Sequence, residues 1–88
     1  MEVDLREVFR DVLSGIKNDL PGHLHKSRGH RFSFYFCKNF IFSHDLFKKI
    51  RNVDQIDLMI EIIDEYVLRN PEERIKILEQ KQFDREFI

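Results

Sequence analysis

The sequence predicts one small α+β domain, in which an N-terminal helix and a long basic loop precede an aromatic β-hairpin and then three helices. Apolar residues recur at helical spacing near the N-terminus and again in the second half of the chain. Between these segments, residues 21–31 are polar, and residues 32–42 are dense in aromatics, which is typical of strands. We therefore expect the hairpin to pack on a helical layer.

Length and composition indicate a single globular domain spanning residues 1–88. Of the 88 residues, 42% are apolar and 35% are charged, a balance that excludes disorder. Nine Phe and two Tyr, without Trp, supply a core with a large contact area per residue. The single cysteine, Cys37, cannot form an internal disulfide and favours a reducing compartment, so a cytoplasmic protein is expected. We expect no membrane span and no signal peptide, because the sequence lacks the apolar runs that both require.

The first predicted helix ends at Pro21-Gly22, a pair that stops helices. Its apolar residues follow the i, i+3, i+4 spacing over four turns, and they are Leu5, Val8, Phe9, Val12, Leu13, Ile16 and Leu20. Residues 21–31 are then predicted to form a loop, and loops of that length in compact domains are often functional.

Lys38-Asn39 is the one plausible turn within the aromatic run. A two-residue turn there would make both faces of the hairpin apolar. One face would hold Phe32, Phe34, Phe36 and Ile41, and the other Tyr35, Cys37, Phe40 and Phe42. Because a hairpin covered on one side normally alternates apolar with polar residues, the second face predicts a homodimer or a hairpin buried in a partner. The same run also fits a helix, since short apolar runs are ambiguous.

Three helices are predicted after the hairpin. A short one opens at Ser43 or His44, and a longer one, capped by Asn52 or Asp54, continues to about Arg69. The Asn-Pro-Glu-Glu stretch at 70–73 has the cap, the proline and the glutamate of a capping box, and it predicts a further helix. The apolar residues of that helix would be Ile75, Ile77 and Leu78, with Phe83 and Phe87 beyond them.

Charge is distributed unevenly along the chain although the net charge is only −1. Residues 1–20 carry three bases and five acids, residues 21–51 carry seven bases and one acid, and residues 52–88 carry five bases and ten acids. All four His also lie in the middle segment. An asymmetry of this kind indicates charged partners.

The favoured function is a small non-enzymatic protein-binding module of the inhibitor, immunity, phage-antagonist or adaptor type, which acts through its hairpin and an acidic helix face. The longer helix carries five acids on one side and no base until Arg69, which indicates a surface facing a basic partner or the chain's own basic segment. The expected protein-binding residues are Tyr35, Phe40, Phe42, Asp57, Glu61, Asp64 and Glu65.

The alternative function is nucleic-acid binding by the basic loop 23–31 and the adjacent aromatics, with bases on phosphates and rings stacked on nucleobases. Its residues would be His23, His25, Lys26, Arg28, His30 and Arg31. A third hypothesis is a small ribonuclease that uses a His beside a basic neighbour. The His and Cys donors lack standard zinc spacing, and no phosphate loop or nucleophile motif occurs, so we expect no metal, no cofactor and no catalytic residue.

Overall fold

The structure, a computed structural model, describes residues 1–77, which form four α-helices and one small antiparallel sheet. In chain order the elements are β1 (Glu2–Asp4), α1 (Leu5–Asp19), α2 (Gly22–Phe36), α3 (Ser43–Arg51), α4 (Ile56–Arg69) and β2 (Ile75–Ile77). Short 3-10 turns follow α2 at Cys37–Asn39 and α4 at Pro71–Glu73. Helices α2 and α4 contact each other, and α1 and α3 each pack against both of them.

Helices α1, α3 and α4 confirm the apolar spacing from which they were predicted. The side of α1 that carries Leu5, Phe9 and Leu13 is buried, and so is the side of α4 that carries Met59 and Ile63. These stripes meet in one continuous core. None of the helices within residues 1–77 combines the length and the apolar character needed to cross a membrane.

The predicted loop and hairpin are wrong, and the α+β fold class with them, because residues 22–36 form the helix α2. The buried side of α2 is made largely of small residues, Gly29 and Ser33, which a search for bulky apolar spacing overlooks. A Cβ atom added to Gly29 would lie only 2.7 Å from Sδ of Met59, so glycine permits the close approach of α4. The aromatic run supports this helix, since Phe36 packs on Phe9 with 5.1 Å between ring centroids.

The predicted turn at Lys38-Asn39 lies instead in the 3-10 turn that ends α2. Each predicted face of the hairpin therefore contains both buried and exposed residues. Phe36, Cys37 and Phe40 are buried in the core, whereas Tyr35 and Ile41 are exposed. Strand propensity depends on packing context, and here the i, i+4 contacts of the aromatics along a helix outweigh it.

The helix predicted after the stretch 70–73 is also wrong for the residues that the structure describes. Pro71–Glu73 forms a single 3-10 turn, and Ile75 and Ile77 lie in β2, paired with Asp4 and Glu2 of β1. Backbone hydrogen bonds to β1 satisfy this segment in place of helical ones. The remaining apolar residues of that prediction, Leu78, Phe83 and Phe87, lie outside the described residues.

Candidate cationic face

The acidic side chains of α4 that face α1 are paired with bases of α1. The carboxylate of Asp64 accepts hydrogen bonds from Nε of Arg6 and Nη2 of Arg10, each at 2.8 Å. The carboxylate of Asp57, two turns earlier, accepts a hydrogen bond from Nζ of Lys17 at 2.8 Å. The pKa of Asp64 is lowered, because the two guanidinium hydrogen bonds outweigh the burial that opposes ionisation.

Two of the remaining acids of this region are also paired within the chain. Nζ of Lys26 lies 3.2 Å from Asp54, and Nη2 of Arg69 lies 2.7 Å from Glu65. Glu61 makes no ion pair with any residue in the range 1–77. The acidic surface expected from the sequence is thus mostly paired, and α1 rather than the basic segment 21–51 supplies most of its bases.

The bases of segment 21–51 are left largely without acidic partners. Apart from Lys26, none of them forms an ion pair with another residue in the described part of the chain. These six exposed side chains are Arg28, Arg31, Lys38, Lys48, Lys49 and Arg51. The intramolecular pairing therefore neutralises most of the acids of α4 and leaves a concentration of positive charge in segment 21–51.

Four of these bases share one surface because of the way α2 and α3 pack. The rings of Phe34 on α2 and Phe47 on α3 meet with centroids 5.4 Å apart, which joins the outer sides of the two helices. At 100° per residue, Arg31 of α2 lies on this outer side. Lys38, in the 3-10 turn that ends α2, lies there too, because its ammonium group is 4.9 Å from the ring centroid of Phe34. On α3, the residues next to Phe47 on the outer side are His44, Lys48 and Arg51, whereas Lys49 borders the groove between α3 and α4. We call this surface the cationic face, defined by Arg31, Phe34, Tyr35, Lys38, His44, Phe47, Lys48 and Arg51.

Exposed aromatic rings lie among the bases of the cationic face. Phe34 keeps 47% of its surface exposed and Tyr35 keeps 62%. The ammonium group of Lys38 lies 4.9 Å from the ring centroid of Phe34 and 5.2 Å from that of Tyr35. The two rings also contact each other edge to face at 5.1 Å. This arrangement offers an anion both a positive charge and a flat apolar surface.

The residues predicted to bind nucleic acid fall into two groups. Nε2 of His25 donates to the carbonyl of Leu20 at 2.8 Å, and Nε2 of His30 donates to the carbonyl of Val53 at 2.7 Å. These two His, with the paired Lys26, connect α2 to its neighbours. The others, His23, Arg28 and Arg31, are exposed on α2.

The residues predicted to bind protein are not brought together. Phe40 belongs to the core, in contact with Tyr66 at 5.1 Å between ring centroids. Tyr35 borders an open groove between α1 and α2, and Phe42 borders another groove between α3 and α4. All four predicted acids lie on α4, and of these only Glu65 borders the same groove as Phe42.

Cys37 is buried, and burial raises the pKa of its thiol to about 12. At neutral pH the residue is therefore a thiol and not the thiolate that nucleophilic chemistry needs. Among residues 1–77, no three His, Cys, Asp or Glu side chains are grouped so that they could hold a metal ion.

Sequence reasoning missed the contribution of α3 to the cationic face. Arg51 follows Phe47 by four residues and Lys48 by one, and Lys48 and Arg51 are three residues apart; this spacing is a signal for one helix side. The sequence does not show that Phe47 meets Phe34, which unites the two helices. Glu73, expected to close a capping box, instead accepts hydrogen bonds from the Ile41 amide and the Tyr66 hydroxyl, both at 2.7 Å.

Comparison of the chain with known protein families, curated proteins and solved structures finds no match. The class of protein is therefore inferred from the chemistry of the cationic face.

Proposed function

We propose that this protein is a non-enzymatic binding module that captures a polyanionic partner on its cationic face. The observation that carries the proposal is the division of ion pairs. The α1 bases neutralise Asp57 and Asp64 of α4, and the bases of segment 21–51 other than Lys26 keep no acidic partner within residues 1–77. Because like charges on one surface repel each other, a polyanion placed there relieves the repulsion and gains Coulomb energy.

The composition of the cationic face supports a macromolecular partner. The face extends over two helices, and within segment 21–51 the one acid, Asp45, borders the groove between α3 and α4 instead. Such a field accelerates the encounter with a large anion, and the acceleration falls as salt rises. The single buried thiol of Cys37 favours a reducing compartment, and we place the module in the cytoplasm.

A protein partner is the second candidate, and the groove between α1 and α2 is the observation that favours it. This open groove of about 470 Å³ is lined by the apolar side chains of Val12, Ile16, Leu20, Phe32 and Tyr35, together with Arg28 and Arg31. An amphipathic helix could place apolar residues in the groove and acidic residues against the two arginines. This candidate retains the protein-binding function expected from the sequence but changes the surface that carries it.

The test of the proposed function is retention on immobilised heparin, a sulfated polyanion. We expect the protein to bind at low salt, and Lys48→Glu to elute at clearly lower salt than the wild type, because Lys48 belongs to the cationic face. Lys49→Glu is the matched control: it changes the net charge equally at the next residue, yet its side chain borders the groove between α3 and α4. Equal elution of the two variants would show that only net charge matters, and the proposal would be wrong.

A further inference from the structure

We infer that the polyanion is a single-stranded nucleic acid, an inference that rests on the proposed function and specifies its partner. The observations behind it are the exposed rings of Phe34 and Tyr35, which lie within the array of bases rather than apart from it. Protein surfaces that bind single strands combine basic side chains, which follow the nucleic-acid backbone, with aromatic rings on which the nucleobases stack.

The ring of Phe34 is held in a defined orientation while part of it stays open. Phe47 contacts it at 75° between ring planes and Tyr35 at 80°, so both neighbours support it edge to face. The ammonium group of Lys38 lies 4.9 Å from its centroid. A ring fixed in this way loses little conformational freedom when a nucleobase stacks on it.

The positive charges surround this ring on both helices. Arg31 lies one turn before Phe34 on α2, and Lys38 follows Phe34 in the 3-10 turn that ends this helix. Lys48 and Arg51 lie on α3, the helix of Phe47, whose ring contacts Phe34. When a nucleobase of a strand stacks on Phe34, the lysine and arginine side chains around this ring can bind the neighbouring phosphates of that strand.

The same features favour a single strand over the other polyanions. In a duplex the nucleobases stack on each other and are closed to the exposed rings of the protein. Only the contacts between basic side chains and phosphates would then contribute to binding. An acidic polypeptide offers carboxylates but no regular series of flat rings, so it would use the charges without stacking on Phe34. An unpaired strand presents a flat nucleobase beside each phosphate, and it therefore uses the charges and the rings together.

The test is fluorescence anisotropy with a labelled 12-nucleotide deoxythymidine strand, the corresponding duplex and polyglutamate as competitor. We expect the single strand to bind at least tenfold more tightly than the duplex. Phe34→Leu should weaken single-strand binding about tenfold, because a leucine keeps the apolar contact but not the stacking surface. With about four phosphate contacts, affinity should fall about 50-fold between 50 mM and 200 mM salt.

Phe42→Leu is the matched control, since Phe42 is similarly exposed at 57% but borders the groove between α3 and α4. It should bind the strand as the wild type does, and circular dichroism melts should show that both variants keep the fold. Equal affinity for strand and duplex, or an unchanged Phe34→Leu variant, would overturn the inference. Stronger competition by polyglutamate than by unlabelled strand would overturn it in favour of an acidic protein partner.

The inference and the proposed function fail in different experiments. If heparin retention depends on Lys48 but the single strand has no advantage, the polyanion proposal stands and the nucleic-acid inference is rejected. If Lys48→Glu and Lys49→Glu behave alike on heparin, the proposed function itself is rejected.

Discussion

The carboxylate of Asp64 shows how one residue fixes both the fold and the charge pattern of the molecule. Its two oxygens accept hydrogen bonds from Arg6 and Arg10, one turn apart on α1, and only a quarter of the side chain is exposed. The contact joins elements more than fifty residues apart in sequence. Because α1 neutralises this acid, Asp64 offers no free negative charge to the bases of segment 21–51, which apart from Lys26 stay unpaired within residues 1–77.

We expect Asp64→Asn to lower the free energy of unfolding at pH 7 by about 1 kcal/mol, a value reduced by solvent screening of the exposed arginines. The pKa of Asp64 is lower in the folded state than its ordinary value of 3.8. The ionised carboxylate therefore stabilises the fold fully above pH 3.8, and this stabilisation is lost as the pH falls through the pKa of the folded state. The difference between wild type and variant should therefore disappear in acid. Urea unfolding at pH 7 and at a pH well below 3.8 measures both effects.

Glu61→Gln serves as the control for this substitution, since Glu61 forms no ion pair within residues 1–77. It should change stability by less than about 0.5 kcal/mol. A loss as large as that of Asp64→Asn, or a loss for Asp64→Asn that persists in acid, would show that the paired carboxylate is not the cause.

At the scale of the helix, the close approach of α2 to α4 depends on Gly29. A Cβ at this position would lie 2.7 Å from Sδ of Met59 and 3.0 Å from Cδ1 of Ile56. Both neighbours are almost entirely buried, so neither can turn towards solvent. The helices would have to separate or repack to admit even one methyl group.

We expect Gly29→Ala to destabilise the protein by about 1 kcal/mol, because overpacking of about 1–3 kcal/mol exceeds the gain of about 1 kcal/mol in helix propensity. Gly15→Ala is the comparison, since a Cβ there would meet only Oδ2 of Asp19, at 4.0 Å. That variant should be more stable than wild type by about 0.5–1 kcal/mol. Chemical denaturation measures the free energy of unfolding of both variants. An equal increase in stability for the two would mean that the Met59 side chain moves aside without cost, and the prediction would be wrong.

The same helix shows how far the fold could be predicted from the sequence. Helices α1, α3 and α4 carry wide stripes of large apolar residues, and those stripes identified them. Helix α2 turns Gly29 and Ser33 towards the core, so its pattern lacked bulky residues at the positions that mattered. Its aromatics then favoured strand, since intrinsic propensity cannot register a contact such as Phe36 with Phe9.

The candidate site was predictable in its chemistry but not in its arrangement. Charge counting identified the basic segment, and the aromatic run beside it indicated stacking. The pairing of Asp57 and Asp64 with α1 is a long-range contact that local spacing does not encode. The contribution of α3 likewise required the Phe34–Phe47 contact, which joins two helices across the bundle surface.

At the scale of the whole molecule, two grooves on different sides of the bundle differ in the charge of their borders. The groove between α1 and α2 is bordered by Arg28 and Arg31. The groove between α3 and α4, of about 270 Å³, has an apolar floor bordered by two acids and two bases. Those four residues are Asp45, Lys49, Glu65 and Arg69. A groove bordered only by positive charges repels the same groove on a second copy of the chain. A groove bordered by both acids and bases can form ion pairs with the same groove of a second copy across a two-fold axis.

The homodimer expected from the sequence stays a prediction, and we now expect its contact at the groove between α3 and α4, because the hairpin is not formed. We expect light scattering at micromolar concentration to give twice the chain mass. Phe42→Lys should return the mass of one chain, because Phe42 is 57% exposed at this groove and a lysine there adds charge to the apolar contact. Tyr35→Glu should leave the dimer intact, since Tyr35 borders the other groove. Dissociation by Tyr35→Glu alone would place the contact at α1 and α2, and a wild-type chain that scatters as one copy would rule out the dimer.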